Sequence, residues 1–313
     1  MSASKAALTW FLRFAVLYVL FIVCFMLGSM AVSGAIPATA ASEPGLVSLG
    51  AGLLIIALAN LIVLVCLILT SRWSGWKLAL SLALAYYGAV TFLMQIETWY
   101  FLSAITVPPP VLPRLFLMGI PTAFVFVPLA VWILGKESAA TNASPNPALR
   151  MPVPQWIWKL AVLAVAYIAL YWTAGYFIAW QNPELRAFYG QPGDALPFLA
   201  STADTVRKYP TLFPFQAFRA LLWVLFALPV IRGSRLNGWW TALLVGVFFS
   251  VPQNIGHIVA NPFLPLASVR LSHLLETASS TFVFGLVVVW LLHREHRSLG
   301  DLFGRHRAIT SPG

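Results

Sequence analysis

Residues 46–70 read LVSLGAGLLIIALANLIVLVCLILT, a stretch with no Asp, Glu, Lys, Arg or His. A bilayer-spanning α-helix needs about 20 consecutive, mostly apolar residues, so this run is long enough to cross. It ends at Ser71-Arg72-x-x-Gly75-Trp76, and a second apolar run starts at Lys77. A basic and aromatic junction between apolar runs is the composition of a membrane–water interface. The same reading applied in both directions gives eight spans, over 8–34, 46–70, 77–105, 111–134, 156–180, 212–231, 238–260 and 266–292. The chain has 313 residues, of which 60% are hydrophobic and 9% charged, with a mean hydropathy of +0.85. A soluble domain carries about 25% charged residues, so a water-soluble globule and a disordered chain are both excluded. The net charge of +10 comes from basic residues at the ends of apolar runs. It therefore speaks for membrane orientation and against a nucleic-acid partner.

Eight spans put both termini on one side. Six of the 19 Lys and Arg fall on the opposite side: Arg114, Arg186, Arg207, Lys208, Arg219 and Arg270. The remaining thirteen share the side of the termini, and positively charged loops stay in the cytoplasm. The expectation is an integral protein of a bacterial inner (plasma) membrane with both termini cytoplasmic. A competing reading takes Lys5, Arg13 and Ala38-Thr39-Ala40 as a signal peptide and its cleavage site. The apolar stretch is long for that, and an internal repeat argues for keeping it.

The repeat links the two halves. Ser71-Arg72-x-x-Gly75-Trp76-x-x-Ala79-Leu80 returns as Ser234-Arg235-x-x-Gly238-Trp239-x-x-Ala242-Leu243. Phe124-Val125-Phe126, Val131-Trp132, Leu134 and Glu137 return as Phe282-Val283-Phe284, Val289-Trp290, Leu292 and Glu295. Trp10, Arg13 and Ala15-Val16-Leu17 are answered by Trp156, Lys159 and Ala161-Val162-Leu163. The fold class read from this is an all-α integral membrane protein of two tandem four-helix repeats. Four is even, so both copies share one orientation, the parallel class of transporter repeats. The first repeat spans 1–135, a cytoplasmic linker 136–155, the second repeat 156–292 and a basic cytoplasmic tail 293–313. Asn142-Ala143-Ser144 fits a glycosylation sequon but falls in that linker.

Polar groups inside spans mark candidate sites, because an ionisable residue at mid-helix costs roughly 2.5–3.5 kcal/mol to insert. The third run holds Gln95 and Glu97, the fourth opens with Arg114, the seventh holds Gln253, Asn254 and His257, and the eighth holds Arg270, His273 and Glu276. Spacings of three put Arg270, His273 and Glu276 along one helix side. Glu276 is placed near mid-membrane, with Arg270 or Arg114 as partners that would make it a structural clamp. The first copy holds Leu115 and Met118 where the second has His273 and Glu276, so the second copy is expected to carry the site.

Cys24 and Cys66 sit in apolar runs and indicate neither a disulfide framework nor a metal site. No phosphate loop, His-Glu-x-x-His, Gly-x-Ser-x-Gly or Cys-x-x-Cys occurs, so these motifs give no support to ATP hydrolysis, zincin proteolysis, serine hydrolysis or dithiol redox chemistry. No cofactor is indicated beyond the option of a bis-histidine haem on His257 and His273. The expected function is transport or binding of a small polar or amphipathic solute, through an outward-facing polar cavity between helices three, seven and eight. In it Glu276 and His273 respond to protons or cations and Arg270 meets an anion or serves as counter-ion. The alternatives are a membrane enzyme acting on a lipid or isoprenoid, with His273 as base and Glu276 as its orienter, and a non-catalytic accessory subunit docked on a membrane partner protein.

Overall fold

The computed structural model describes residues 3–35, 42–136, 151–293, 296 and 301–302. The Ala38-Thr39-Ala40 site, the Asn142 sequon, most of the expected linker and most of the basic tail lie outside the described residues.

Eight helices are long and apolar enough to cross a membrane: α1 (Ser4–Ser33), α2 (Leu49–Leu69), α3 (Gly75–Leu102), α4 (Leu112–Ile133), α5 (Val153–Gln181), α6 (Leu212–Gly233), α7 (Gly238–Ile258) and α8 (Ala267–Leu292). The protein is an all-helical, polytopic membrane protein. In hydrocarbon every backbone N–H and C=O must be satisfied inside the segment, which makes a helix the default conformation of an apolar run. Side chains finish the ends. Ser48 caps α2 by accepting from the Ala51 N–H, Asn237 caps α7 by accepting from the Trp240 N–H, and the Thr70 hydroxyl donates back to the Cys66 carbonyl. Two spans carry one π-turn each, at Tyr87–Phe92 and Pro121–Phe126. Pro121 has no N–H to give to a regular ladder. The α3–α4 approach is tight nearby, where a Cβ on Gly119 would lie 1.9 Å from Thr91 Oγ1.

Within the first four helices α1 packs on α2 and α4, and α3 on α4; within the last four, α5 packs on α6 and α8, and α7 on α8. Contacts α2–α7 and α3–α6 join the two sets. At the end of the bundle shared by the termini, the 70–75 and 233–238 turns cross as an isolated antiparallel bridge between Ser71 and Ser234. Its bonds are reciprocal: the Arg72 N–H donates to the Gly233 carbonyl at 2.7 Å, and the Arg235 N–H to the Thr70 carbonyl at 3.0 Å. The guanidinium groups repeat this exchange, Arg72 to the Ser234 carbonyl and Arg235 to the Leu69 carbonyl. Lys136 Nζ donates to the Ser71 carbonyl at 2.6 Å. Burial there, with Arg235 nearby, pushes the Lys136 ammonium below its ordinary pKa.

Some contacts inside the first four helices have a like contact inside the last four. Phe21 meets Phe126 edge-on at 5.1 Å between centroids, and Tyr167 meets Phe284 edge-on at 4.8 Å. Phe21–Phe25 and Tyr167–Tyr171 are both stacked at 6.4 Å. The Thr122 hydroxyl donates to the Gly119 carbonyl, and the Ser280 hydroxyl to the Thr277 carbonyl.

Candidate functional site

The site is built from α8 outward. Two carboxylates meet the first turn of this helix, where backbone N–H groups and the helix dipole favour negative charge: Glu43 accepts from the Ala267 N–H at 2.7 Å, and Glu184 accepts from the Ser268 hydroxyl. Arg270, 1% exposed, lies in the same turn. It donates to the carbonyls of Glu43, Pro44, Leu264 and Pro265 at 2.8–2.9 Å and to Ser42 Oγ at 3.2 Å. The arginine therefore staples the 42–44 segment to the 264–265 turn. This corrects its expected place beside Glu276: loop carbonyls hold its donors instead.

His273 and Glu276 do form a pair. Nδ1 of His273 is 3.0 Å from Glu276 Oε2, and Nε2 is 3.0 Å from the Tyr189 hydroxyl. A neutral imidazole that gives its Nδ1–H to the carboxylate has Nε2 left to accept from a phenol. Burial and the nearby Glu276 and Glu97 carboxylates raise the Tyr189 pKa, so the phenol stays protonated and able to donate. Tyr189 follows the short helix Pro183–Phe188, which Asn182 caps. Asn182 also donates to Ser272 Oγ on α8 at 3.0 Å, and Arg186 anchors the segment on the Trp180 and Gly193 carbonyls. On α5, Gly175 lets the helix approach: a Cβ there would lie 3.4 Å from Glu276 Oε1.

The second half of the site is an ion pair between α3 and α6. Arg219 grips Glu97 with both terminal nitrogens, at 2.7 and 2.5 Å, and NH1 also donates to Gln216 Oε1 at 2.9 Å. Its guanidinium carbon lies 5.9 Å from the Tyr167 ring centroid and 5.8 Å from that of Phe215. Trp223 Nε1 donates to the Tyr167 hydroxyl at 3.2 Å. Bidentate geometry is what a guanidinium–carboxylate pair needs to offset the desolvation of two buried charges. Glu97 and Glu276 lie within electrostatic reach of each other. Two carboxylates thus share this region with one arginine and one histidine.

The α7 residues stand on another side of α8. Asn254 accepts from the Thr277 hydroxyl at 2.5 Å and donates to the Ser250 carbonyl, while His257 Nδ1 lies 3.0 Å from the Asn254 carbonyl. Gln253 donates to the Phe249 carbonyl, and its Oε1 has no partner among the described residues. Thr277 faces α7 whereas Glu276 faces α5, so the ionisable cluster sits among α3, α5, α6 and α8. That corrects the expected position among helices three, seven and eight. Arg114 is exposed at the start of α4 and forms neither a hydrogen bond nor an ion pair with the cluster. One surface cavity lies at the Ser71–Ser234 joint and another beside 44–49.

Sequence reasoning missed Arg219, Gln216, Tyr189 and Gly175. Arg219 carried a usable signal: it is an ionisable residue seven positions inside a span, the criterion that selected Glu97. Tyr189 carried none, because a loop tyrosine has no periodicity to mark it. Both nitrogens of His273 are hydrogen-bonded, one to Glu276 and one to Tyr189. No protein-family model, curated protein or solved structure matches this chain.

Proposed function

We propose that the protein binds and transports a small polar or amphipathic solute, with the His273–Glu276 pair as its proton-responsive element. The observation that supports this reading most is the pair itself: a carboxylate 5% exposed, on a spanning helix, against a histidine at 3.0 Å. Ionisable groups at membrane depth mark solute paths and proton relays. Arg219 already neutralises Glu97, so Glu276 needs a proton or a cation of its own. Tyr189 extends the chain of exchangeable protons toward the 181–210 segment. The reading includes two parallel four-helix repeats, supported by the reciprocal Ser71–Ser234 joint and the paired aromatic contacts. It also places both termini in the cytoplasm of a bacterium, supported by the distribution of basic residues.

A pH-jump experiment on proteoliposomes adsorbed to a solid-supported membrane tests the reading without a known solute. Wild type gives a transient displacement current; Glu276→Gln and His273→Ala melt like wild type and lose it. A Glu276→Gln protein that keeps the current overturns the proposal. A Glu276→Gln protein that fails to accumulate, while Met118→Leu at the matched first-half position is well behaved, makes the cluster a structural clamp.

One observation favours a second reading. The Tyr189–His273–Glu276 chain is a base with its orienter on Nδ1, as a membrane enzyme acting on a lipid or isoprenoid would need. Incubation with a membrane lipid extract, followed by mass spectrometry, separates the two: an enzyme depletes one lipid in a His273-dependent way. A third outcome, stoichiometric co-purification with a partner and neither current nor turnover, would mark an accessory subunit.

A further inference from the structure

Two features of the cluster go beyond what a proton-responsive pair requires. Gln216 is 0% exposed and its Nε2 has no hydrogen-bond partner among the described residues; the same holds for Arg219 Nε on a side chain 3% exposed. The two residues are three apart on α6, one helical face. Arg219 NH1 and NH2 are already held by Glu97 and Gln216 Oε1. What is left is a pair of buried N–H donors, and buried donors rarely go without an acceptor.

The other feature is an acceptor without a donor. Glu276 bonds His273 through Oε2 only, and its Oε1 lies beside Gly175 on α5, where a Cβ would come within 3.4 Å of it. Tyr171, stacked on Tyr167, lies within electrostatic reach of Glu276, Glu97 and Arg219, and its hydroxyl bonds no described residue. A carboxylate oxygen beside phenol rings suits an ammonium group, through charge and through the ring faces. Donors at Gln216 and Arg219 suit an oxygen.

We propose that the site takes a small amine that also carries an oxygen acceptor, an amino acid or amino alcohol, with its ammonium at Glu276 Oε1 and its oxygen at Gln216 Nε2 and Arg219 Nε. This rests on the solute-binding reading above. The ammonium meets a carboxylate that accepts the His273 Nδ1–H through its other oxygen. The titratable and charged groups that face the pair from its neighbours are Glu97, Tyr167, Tyr171, Tyr189, Arg219 and His257. None of the others is a carboxylate free of an arginine.

Binding to the purified full-length protein, read by thermal shift and calorimetry, tests this with three compounds of one shape: phenylalanine, phenylethylammonium and phenylacetate. A smaller set, glycine, ethylammonium and acetate, covers a tighter site. In the set that fits, the compound with both groups binds best, the amine binds about tenfold or more weakly, and the acid does not bind. Gln216→Leu erases the advantage of the first over the second. Glu276→Gln loses both. Tight binding of phenylacetate or acetate without the amine overturns the assignment. Failure of all six to bind a protein that still shows a Glu276-dependent pH-jump current also overturns it, while leaving the proton-responsive reading in place.

Discussion

The first four helices and the last four use one set of contacts for two chemistries. Phe21 and Phe25 stack on α1 where Tyr167 and Tyr171 stack on α5. Gly28 lies against the Met118 carbonyl, and Gly175, one position out of register with it, lies beside the Glu276 carboxylate. Thr91 is pressed on Gly119 where Asn254 accepts a hydrogen bond from Thr277. One exchange runs the other way: Asn60 and Tyr86 are hydrogen-bonded at 2.6 Å where Trp223 and Phe249 are apolar neighbours 4.4 Å apart. Packing constrains the size and approach of these side chains far more than their polarity. Polar groups can therefore accumulate in one half without moving a helix. The division is incomplete, because Glu97 comes from the first half and its partner Arg219 from the second. The ion pair is a bond between the halves as well as part of the site.

Rewriting that pair into the residues at the matched positions should give the largest effect. At the 163-residue spacing that separates Ser71 from Ser234, Arg219 and Glu97 align with Ile56 and Ala260. Arg219→Ile alone strands a buried carboxylate and should cost about 3–5 kcal/mol. Adding Glu97→Ala removes the stranded charge and should recover most of the loss, since apolar replacements of buried pairs are often tolerated. Denaturation in detergent of the two single variants and the double variant measures the cycle. A double variant as unstable as Arg219→Ile would show that the pair acts through packing and not through charge.

The glycines sharpen the comparison at the next scale. A Cβ on Gly28 would lie 2.0 Å from the Met118 backbone oxygen, and backbone cannot swing aside as a side chain can. Gly28→Ala should force α1 and α4 apart at a cost of about 1–3 kcal/mol. A Cβ on Gly175 meets the Glu276 carboxylate at ordinary contact distance, 3.4 Å. Gly175→Ala should change stability by about 0.5 kcal/mol or less, yet narrow the space beside Glu276 Oε1 and weaken ligand binding. Equal destabilisation by both substitutions would mean that the two approaches serve the same packing purpose.

All eight spans are legible in the sequence because hydrocarbon demands some 20 apolar residues per crossing, whatever lies beside them. The His273–Glu276 pair is legible for a similar reason: its spacing of three lies within one helix. The cross-helix partners are not. Arg219 is 122 residues from Glu97, and Tyr189 is 84 residues from His273. No local period relates such positions. Arg270 shows a different limit. Its presence in a span is visible, but its partners are backbone carbonyls of two turns, and every residue type offers a carbonyl. Charge composition alone therefore suggests a carboxylate partner that the fold does not supply.

A single hydroxyl gives the most direct test of which chemistry the aromatic positions carry. Tyr167→Phe makes the α5 stack chemically equal to the Phe21–Phe25 stack of α1 and leaves the edge-on contact with Phe284 in place. It removes the acceptor of Trp223 Nε1, a bond of 3.2 Å at a residue 0% exposed. Leaving a buried donor without its acceptor costs about 1–3 kcal/mol, so the melting temperature should fall by several degrees. The Tyr167 ring also lies beside the Arg219 guanidinium, a contact that Phe retains, so the Glu97–Arg219 pair should survive. The pH-jump current should then persist, because the Tyr189–His273–Glu276 chain does not run through Tyr167. A current lost in Tyr167→Phe, with stability reduced by no more than this amount, would put the Tyr167 hydroxyl in the proton path and extend the working site onto α5.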